Sequence, residues 1–479
     1  MKPKLVVFSV FLFLLTIFLR IYQIEDKFSF SAEYNYKLWP VKEILYDHKI
    51  RLIGIEAVSY LHHIHYPPLA LYIFSLPLMM SGGNPLSIEI SLIILSGVTS
   101  LLLFYFGTKF HSKLVGAFSG LIYSTSFFMQ RTDRFIWVVG TIIFFTSLFL
   151  ILMLKITRAN KNRTRHLLIF SLGLIIGLAL NFHFQAIALL IVGLLFLYLR
   201  FKKQKVYVKY LLFLAGLLLP LVPLIIFELR HNFYNSRGIL LLVKDSQGII
   251  SSSGPSIFSR GLQALSEIFL DIIYYPLNYQ SVIIAFLLNF TALLVLIKKL
   301  NSSDKNDMPV ALSLIGLWIF GIISFPLVQN RYYKTDYYLF YLMPISIFII
   351  SFLLEKLLFL AKRRYYLIAP IIIAFLLFNI NRSITFQPDV SWSSQKQAVE
   401  YILNNAPADN FNIKFQGTNS EAFDYLFYYF SKKYNINYKN IHYVEKWNNE
   451  KNIKFMLSSE ELDNYTQNFG NIYVKKIAD

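Results

Sequence analysis

Long apolar runs recur along most of this chain and constrain its fold more than any other feature. The runs are roughly 15–22 residues long, enough for a helix to cross a hydrocarbon layer of about 30 Å. Because lipid offers no hydrogen-bond partners to exposed backbone groups, such segments must be helical. Hydrophobic residues make up 56% of the chain and charged residues only 15%, which is typical of membrane proteins. We therefore predict an all-α polytopic membrane protein.

The distribution of basic residues orients these predicted spans. The loops at 155–165 and 200–209 each contain five Lys or Arg residues, and the loops at 109–113, 298–305 and 362–364 are also basic. Cytoplasmic loops are enriched in Lys and Arg. We therefore place these loops and the N-terminus in the cytoplasm, and we expect the protein in the plasma or inner membrane of the cell. The same loops explain the net charge of +19, which therefore does not indicate a nucleic-acid partner.

Alternation of the spans between the two sides gives about eleven transmembrane helices. The predicted spans are 5–22, 87–108, 114–129, 135–154, 167–182, 184–199, 208–228, 277–297, 309–328, 337–358 and 367–381. The first is interpreted as a retained span, because no small-residue cleavage site follows it. The stretch 67–80 is not counted, since its short length and its opening Pro67 and Pro68 favour a re-entrant or interfacial helix.

Three regions lie outside the cytoplasm in this topology. They are a first outer loop at 23–86 with juxtamembrane helices, a second outer loop at 229–276, and the C-terminal tail. In the tail, segments 412–416 and 471–477 alternate like strands, whereas 395–404 and 420–433 have helical patterns. We predict a transmembrane domain at 1–385 and a small α/β extracytoplasmic domain at 386–479.

Polar residues capable of chemistry recur at the predicted outer ends of the spans. These candidate site residues are Glu33, His65, Arg131, Arg134, His183, Glu228, Arg230, His231, Arg331 and Lys334. Ionisable groups at a membrane boundary are costly and usually face a cavity. We therefore predict one outward-facing pocket beneath the first outer loop, lined by members of this set.

The residue types suggest roles within such a pocket. The carboxylate of Glu33 suits a base that takes a proton from an incoming hydroxyl or amine, or a ligand of a divalent cation. A solvated loop acid is the alternative interpretation of Glu33. Arg131 and Arg134 flank Asp133, and guanidinium groups bind phosphate with two parallel hydrogen bonds. They are equally compatible with basic side chains that extend to the membrane surface.

The sequence does not identify a cofactor. Glu33 and His65 are the metal-ligand candidates, and His62 and His63 lie beside His65. Imidazole is a common metal ligand, but a histidine cluster also suits a hydrogen-bonded scaffold. The chain has no cysteine, which excludes disulfides, thiol catalysis and thiolate metal sites.

Three classes of function are compatible with these features. An acid, several cations and many aromatic side chains on one face suit an enzyme that acts on an anionic lipid carrying a sugar. A transporter or flippase of lipid-linked sugars is the second class, although transporters usually show helices broken at matching positions of two halves. A non-catalytic membrane scaffold is the third. The oligomeric state is not indicated.

Several segments resemble one known family. An N-terminal span, a long outer loop with Glu33 close behind the span, the segment from His65 to Leu69 and an outer C-terminal domain are similar to the GT-C membrane glycosyltransferases. The nearer branch is the bacterial protein-mannosyltransferase and aminoarabinose-transferase-like group, which is glycosyltransferase family 39-like. The segments Glu228–Phe233 and Arg331–Pro344 also resemble pieces of its bacterial members. The likeness in layout covers about residues 1–380.

The resemblance implies a function and a catalytic residue. It implies transfer of one sugar, with inversion, from a polyprenyl-phosphate donor in the membrane lipid to a lipid, glycan or protein acceptor on the outer face. Glu33 would be the first-loop acid, acting as base or metal ligand. The family commonly has an Asp-Glu pair there, and this chain has Ala32 and Glu33. It lacks the Trp-Trp-Asp-Tyr-Gly motif of oligosaccharyltransferases.

Overall fold

A computed structural model provides the structure of this chain. It describes residues 3–58, 64–134, 139–202, 207–246, 257–275, 282–302, 305–328, 336–361, 365–407, 410–417, 420–444, 453–459, 461–462 and 465–477. The predicted site residues Arg331 and Lys334 lie outside these ranges, as do His62 and His63.

Helices form most of the described chain. The helices up to residue 134 are α1 (Pro3–Ile21), α2 (Ile24–Lys27), α3 (Ala32–Tyr46), α4 (Leu69–Met80), α5 (Leu86–Phe110), α6 (Lys113–Thr125) and α7 (Phe127–Asp133). Those up to residue 246 are α8 (Thr141–Arg158), α9 (Asn162–Phe182), α10 (Ile187–Phe201), α11 (Tyr207–Leu218), α12 (Val222–Arg230) and α13 (Tyr234–Ser246). The remaining ones are α14 (Ile257–Ile273), α15 (Val282–Ser302), α16 (Met308–Val328), α17 (Met343–Leu360), α18 (Tyr365–Thr385), α19 (Trp392–Asn405) and α20 (Asp424–Ser431).

Short 3-10 helices and strands complete the described structure. The 3-10 helices are Phe184–Ala186, Leu219–Leu221, Asp336–Leu342, Ser420–Ala422, Lys432–Tyr434 and Tyr438–Asn440. The strands are β1 (Glu56–Val58), β2 (Ile64–His65), β3 (Phe411–Gln416), β4 (Ile441–Val444), β5 (Ile453–Ser458), β6 (Gln467–Phe469) and β7 (Ile472–Lys476).

The predicted fold class of a polytopic helical membrane protein is confirmed. Within the described ranges, nine helical segments are long and apolar enough to cross a membrane, and Met308–Ser324 forms a shorter apolar helix. The predicted span 114–129 falls on α6 and α7, which meet at Ser126. The predicted span 135–154 starts late, because its helix α8 begins at Thr141.

The uncounted stretch 67–80 contains a short helix. Helix α4 has 12 residues, which at a rise of 1.5 Å per residue is about 18 Å, well short of the hydrocarbon thickness. This length agrees with an interfacial or re-entrant helix.

The sidedness of the membrane stays a prediction, and reporter fusions test it. A reporter fused after Ala361 should be cytoplasmic, whereas one fused at Asp479 should be extracytoplasmic, because parity separates these positions by one span. Alkaline phosphatase and green fluorescent protein fusions, which are active on opposite sides of the inner membrane, provide the measurement. A cytoplasmic C-terminus would contradict both the parity argument and the outer-face site.

The chain forms two compact units, which are described separately. The helical unit comprises Met1–Arg20, Arg51–Ala70 and Ser91–Ile384. The sheet unit comprises Ile21–Ile50, Leu71–Ile90 and Thr385–Asp479, so the predicted domain 386–479 shares its unit with two segments that precede residue 91.

Close helix packing builds the core of the helical unit. Helices α9 and α11 approach so closely that a Cβ on Gly173 would lie 2.0 Å from the Phe213 carbonyl oxygen, and one on Gly216 would lie 2.1 Å from that of Phe170. Small residues allow such close contact between apolar helices, where van der Waals packing replaces the hydrophobic effect.

A mixed five-stranded sheet organises the sheet unit. The strand order is β4-β3-β5-β7-β6, with β3 parallel to β4 and β5 and the other neighbours antiparallel. Phe411, Ile413 and Phe415 alternate toward the buried face of β3, as expected for a strand covered on one side. The predicted small α/β region is therefore confirmed.

Hydrogen bonds attach the start of the first predicted outer loop to helix α19 within the sheet unit. The amide side chain of Gln395 accepts from the Phe30 backbone N–H at 2.9 Å and donates to the Phe30 carbonyl at 2.8 Å. The Trp392 N–H also donates to the Phe28 carbonyl at 2.6 Å. This two-way pairing fixes the chain immediately before α3, the helix that carries Glu33.

Candidate active site

A polar pocket lies in the helical unit beside Asp133. Its volume is about 20 Å³, room for about one water molecule. The lining residues are Leu92, Leu95, Ser96, Thr99, Tyr123, Thr132, Asp133, Gly140, Thr141 and Phe144. Hydroxyl groups and one carboxylate among apolar walls give the pocket the polar partners that a bound water or a single hydroxyl group needs.

Asp133 forms a buried ion pair with the first helix. Its Oδ2 lies 2.6 Å from Nη2 and 2.7 Å from Nε of Arg20, and it accepts from the Tyr123 hydroxyl at 2.9 Å. Arg20 is fully buried, and its guanidinium also donates to the carbonyls of Tyr123 and Ser124. Among the described residues, the hydrogen bonds to the Asp133 side chain all go to Oδ2, so Oδ1 is available to a molecule in the pocket.

The two arginines that flank Asp133 differ in their surroundings. Arg134 is buried and donates to the carbonyls of Leu19 and Arg20, the last carbonyls of α1. Cations stabilise a helix C-terminus through such contacts, so in this structure Arg134 caps a helix. Arg131 is exposed, and its guanidinium lies 5.2 Å from the centre of the Tyr275 ring. Arg131 therefore keeps the accessibility that a phosphate-binding role requires.

Glu228 caps a helix in the structure. Its two carboxylate oxygens accept from the backbone N–H groups of Asn235 and Ser236 at 2.8 Å each, and the Ser236 hydroxyl also donates to it. These N–H groups belong to the first turn of α13, where no intrahelical acceptor is available. A turn in which Asn232 and Phe233 have positive φ, 53° and 58°, brings Glu228 back to this position. Its predicted substrate-binding role stays a prediction.

Asn235 links α13 to the segment that begins at His65. Its Oδ1 accepts from the His65 N–H at 2.6 Å, and its Nδ2 donates to the His65 carbonyl at 2.9 Å. Asn235 is 3% exposed, so these bonds are protected from water. Sequence analysis did not single out Asn235. In the sequence, Asn235 is marked only by its place in the polar segment that follows Glu228.

His183 also lies beside the segment that runs from His65 to Leu69. Its Nδ1 accepts from the Gln185 backbone N–H at 3.2 Å, which places the proton of the neutral ring on Nε2. The His183 ring centre is 5.7 Å from that of Tyr66. Nearby, Asn181 Oδ1 accepts from the Leu69 N–H at 2.9 Å. The structure therefore brings the neighbourhoods of His65, His183 and Glu228 together around residues 65–69.

The end of α12 presents two further predicted site residues to solvent. Arg230 and His231 are both exposed. The His231 ring stacks on Phe227 at 4.1 Å between centres, and its Nδ1 lies 2.9 Å from the Phe227 carbonyl. Their roles in binding substrate stay predictions.

Glu33 lies in the sheet unit, in the first turn of α3. The side chain is 54% exposed, and its Oε2 lies 3.6 Å from Nζ of Lys37, one helical turn further on. An acid is favourable in the first turn because of the helix dipole. Since Glu33 and the candidate cations belong to different units, the pocket that they were predicted to share stays a prediction.

The described residues were compared with the ligand sets that metal ions need. Within the ranges that the structure describes, no group of three or more His, Asp or Glu side chains could hold a metal ion. Asp133 is already neutralised by Arg20. The metal candidates Glu33 and His65 belong to different units, and ligation of a cation by either of them stays a prediction.

One structural prediction separates the two roles of Glu228. Replacement of Glu228 by Ala should lower the free energy of unfolding by about 1–3 kcal/mol, because buried N–H groups at the start of α13 lose their acceptor. Glu228→Gln keeps an acceptor oxygen and should lose less. Thermal unfolding in detergent measures both. A Glu228→Ala protein of unchanged stability that binds a lipid phosphate poorly would instead assign Glu228 to substrate binding.

A comparison with protein families and a comparison with solved structures both find proteins similar to this chain. The family described as dolichyl-phosphate-mannose-protein mannosyltransferase matches residues 65–227. This range includes His65, Asp133, His183 and α12 through Phe227. Comparison with curated protein sequences finds no significant match.

Solved structures match almost the whole chain. ArnT from Cupriavidus metallidurans, in a crystal structure bound to undecaprenyl phosphate, matches with a TM-score of 0.61 and 11% identity, covering 99% of this chain and 98% of ArnT. An oligosaccharyltransferase from Archaeoglobus fulgidus, in complex with zinc and sulfate, matches with a TM-score of 0.56 and 12% identity over 94% of this chain and 67% of its own. The archaeal oligosaccharyltransferase AglB, in complex with an inhibitory peptide and a dolichol-phosphate, matches with a TM-score of 0.51.

Proposed function

We propose that this chain, which has the fold of the GT-C membrane glycosyltransferases, transfers one sugar from a polyprenyl-phosphate donor to an acceptor at the outer face of the membrane. The resemblance to GT-C glycosyltransferases predicted from the sequence is confirmed by the family match and by the structural matches. The polyprenyl-phosphate donor, the transfer of a single sugar and the location of the reaction at the outer face are proposed.

The match to ArnT is the observation that carries this proposal. It extends over nearly the full length of both chains, so the two proteins share the arrangement of helices and of the C-terminal region. The ArnT structure contains undecaprenyl phosphate. A chain of the same size and fold therefore has a scaffold suited to a polyprenyl phosphate, whereas the oligosaccharyltransferase has additional length that this chain does not cover.

The proposed reaction needs a base, a sugar site and a phosphate site. An acceptor hydroxyl or amine attacks the anomeric carbon of the donor sugar, and the bond between that carbon and the phosphate oxygen breaks. The polyprenyl phosphate leaves with the bonding electrons, and Glu33 takes the acceptor proton. Attack from the face opposite the leaving group inverts the configuration of the anomeric carbon.

The pocket beside Asp133 has a volume of about 20 Å³, so in this proposal it contacts only part of the donor sugar. Serine, threonine and tyrosine hydroxyl groups line it together with the free oxygen Oδ1 of Asp133. Sugar hydroxyls both donate and accept hydrogen bonds, so a lining of this kind can pair with several of them. We propose a hexose or a pentose as the transferred sugar.

Exposed cations support a phosphate site. Arg131 and Arg230 are exposed in the helical unit, and the sequence adds Arg331 and Lys334 to the predicted set. Guanidinium groups bind phosphate with two parallel hydrogen bonds and stay charged at all physiological pH values. In this proposal they hold the donor phosphate and stabilise the charge that grows on it as the sugar leaves.

Lipid analysis of cells with and without the intact gene tests the proposed function. Loss of the gene should cause a polyprenyl-phosphate sugar to accumulate, and purified protein should consume that lipid when acceptor-containing membranes are added. Consumption with release of polyprenyl phosphate supports a transferase. Movement of the intact lipid across vesicle membranes without cleavage would assign the chain to the flippase class instead.

A further inference from the structure

Three cations converge where α9 begins, α10 ends and α11 begins. Arg165 lies in the first turn of α9, Arg200 in the last turn of α10 and Lys209 in the first turn of α11. The Lys209 ammonium lies 4.8 Å, and the Arg200 guanidinium 5.5 Å, from the centre of the Phe201 ring. The two arginines are half-buried and Lys209 is buried. These three residues are called the basic cluster below.

The two arginines of the basic cluster reach the same helix end. Arg165 Nη2 donates to the Ala159 carbonyl at 2.5 Å, and Arg200 Nη2 donates to the Thr157 carbonyl at 3.3 Å. Both carbonyls lie at the C-terminal end of α8, where cations are favourable. The Nε atoms of both arginines are nevertheless buried without a hydrogen-bond acceptor in the part of the chain that the structure describes. A buried donor without an acceptor is unfavourable, so capping of α8 does not account for the whole arrangement.

The charges of the basic cluster repel one another. The positive charge of Arg165 acts unfavourably on those of Arg200 and Lys209. Asp307, an acid that contacts the end of α8, pairs with Arg158 at 2.5 Å. Among the described residues, no ion pair includes Arg165 or Arg200. Like charges held together away from bulk water are costly unless an anion compensates them.

The start of α9 also lacks the groups that usually stabilise a helix N-terminus. Its N-cap residue, Lys161, makes no side-chain hydrogen bond to the first turn, and that turn contains no acid. It contains Arg163 and Arg165 instead, although the helix dipole disfavours cations at this end. The first N–H groups of a helix have no intrahelical acceptor and bind anions readily. One anion would therefore improve the helix start and compensate the cations beside it.

We propose that the basic cluster binds the phosphate of an anionic membrane lipid. This inference does not depend on the proposed function. Guanidinium groups bind phosphate through parallel hydrogen bonds, and Nε is one of the donors that a guanidinium uses for this purpose. A phosphate would thus supply the acceptor that the buried Nε atoms of Arg165 and Arg200 lack.

The position of the basic cluster identifies a lipid as the source of the phosphate. All three helices belong to segments that are long and apolar enough to cross a membrane. Each exposes an apolar or aromatic side chain two residues from its cation, namely Leu167, Tyr198 and Tyr207 at 64%, 56% and 62%. Charged groups at span ends lie at the level of the lipid headgroups. Basic pockets between transmembrane helices bind anionic headgroups on the cytoplasmic side, which is the predicted side of these loops.

Native mass spectrometry of the full chain in detergent tests the proposal. The probes are phosphatidylglycerol, which is anionic, and phosphatidylcholine, which has no net charge. The wild type should retain one phosphatidylglycerol with a Kd about tenfold or more below that for phosphatidylcholine. Arg165→Gln and Arg200→Gln should each raise the Kd for phosphatidylglycerol by about tenfold, because a charge-assisted hydrogen bond is lost.

Arg163→Gln is the matched control. Arg163 is exposed, lies in the same turn as Arg165 and carries the same charge, so its loss should change the Kd by less than about twofold. Arg200→Lys keeps a cation and should bind better than Arg200→Gln but less tightly than the wild type, because the planar fork is lost.

A second measurement separates lipid binding from a loss of folding. Phosphatidylglycerol should raise the Tm of the wild type and of Arg163→Gln, since a ligand that binds the folded state stabilises it. The rise should be smaller in Arg165→Gln and Arg200→Gln, whatever their Tm without lipid. If either variant does not fold, the comparison of the two lipids on the wild type still decides the proposal.

Three results would overturn the proposal. Equal retention of both lipids by the wild type would show that the cluster does not select an anionic headgroup. Equal loss of phosphatidylglycerol in Arg163→Gln and Arg165→Gln would show that only the net charge of the loop matters. Displacement of phosphatidylglycerol by an equal concentration of inorganic phosphate would assign the cluster to a free phosphate rather than to a lipid.

Discussion

Replacement of Glu33 by Gln should reduce the rate of sugar transfer by about 10²-fold or more, the loss expected when a general base is removed. The substitution keeps the size of the side chain and removes both its charge and its ability to accept a proton at neutral pH. Because Glu33 is half exposed in the first turn of α3, the change should leave the fold intact. Binding of a lipid phosphate should change little, since cations hold that group.

The measurement combines transfer kinetics with binding of undecaprenyl phosphate as a probe. The matched control is Glu43→Gln, which removes an acid from the same helix, where Glu43 pairs with the exposed Lys49, and it should retain wild-type transfer. Arg230→Ala should instead weaken binding of the probe, and Arg230→Lys should restore binding only in part because the planar fork is lost.

Two outcomes would contradict this assignment. Near-wild-type transfer with an unchanged pH profile in Glu33→Gln would show that Glu33 is not the base. Loss of probe binding in Glu33→Gln alone would indicate that the carboxylate organises the donor site, through structure or through a bridging cation.

The polytopic fold was predictable because it follows from a physical limit. A segment that crosses lipid must be long, apolar and helical, and among the described residues most of the predicted spans coincide with helices that meet this requirement. Helix ends were less predictable, as the break at Ser126 illustrates. There the backbone extends between α6 and α7, with φ −55° and ψ 123°, at the hydroxyl residues Ser124, Thr125 and Ser126, which interrupt the apolar sequence.

The partners of charged residues were not predictable from their position at span ends. Arg134 and Glu228 carry the charges expected of a phosphate or substrate site, yet their contacts in the structure are with backbone groups at the ends of α1 and α13. A helix end near the membrane surface needs a polar side chain to satisfy its free backbone groups. A ligand site there selects the same residue types, and the sequence alone does not distinguish the two needs.

The residues that sequence analysis left out of the site were those whose importance depends on three-dimensional neighbours. Asp133 joins a residue from the first span, and Asn235 joins a residue 170 positions earlier in the chain.

Loss of the buried charge at Arg20 should have the largest effect on stability. Arg20→Met removes the partner of a carboxylate that is 4% exposed, which leaves an uncompensated buried charge at a cost of about 3–5 kcal/mol. The same change removes the donors to the Tyr123 and Ser124 carbonyls. Asp133→Asn should also be costly, because the buried guanidinium of Arg20 loses its counter-charge, although the amide oxygen still accepts from Tyr123 and from Arg20.

A double-mutant cycle measured by unfolding in detergent tests whether the pair acts as one unit. The Arg20→Met, Asp133→Asn double variant should be more stable than Arg20→Met alone, because no unpaired carboxylate remains buried. The control is Lys433→Met, which breaks an exposed pair with Glu400 at 2.8 Å and should leave the free energy of unfolding nearly unchanged, because exposed ion pairs contribute little. Additive effects of the two substitutions would mean that Arg20 stabilises the fold through its backbone contacts, and that Asp133 is held in the pocket without it.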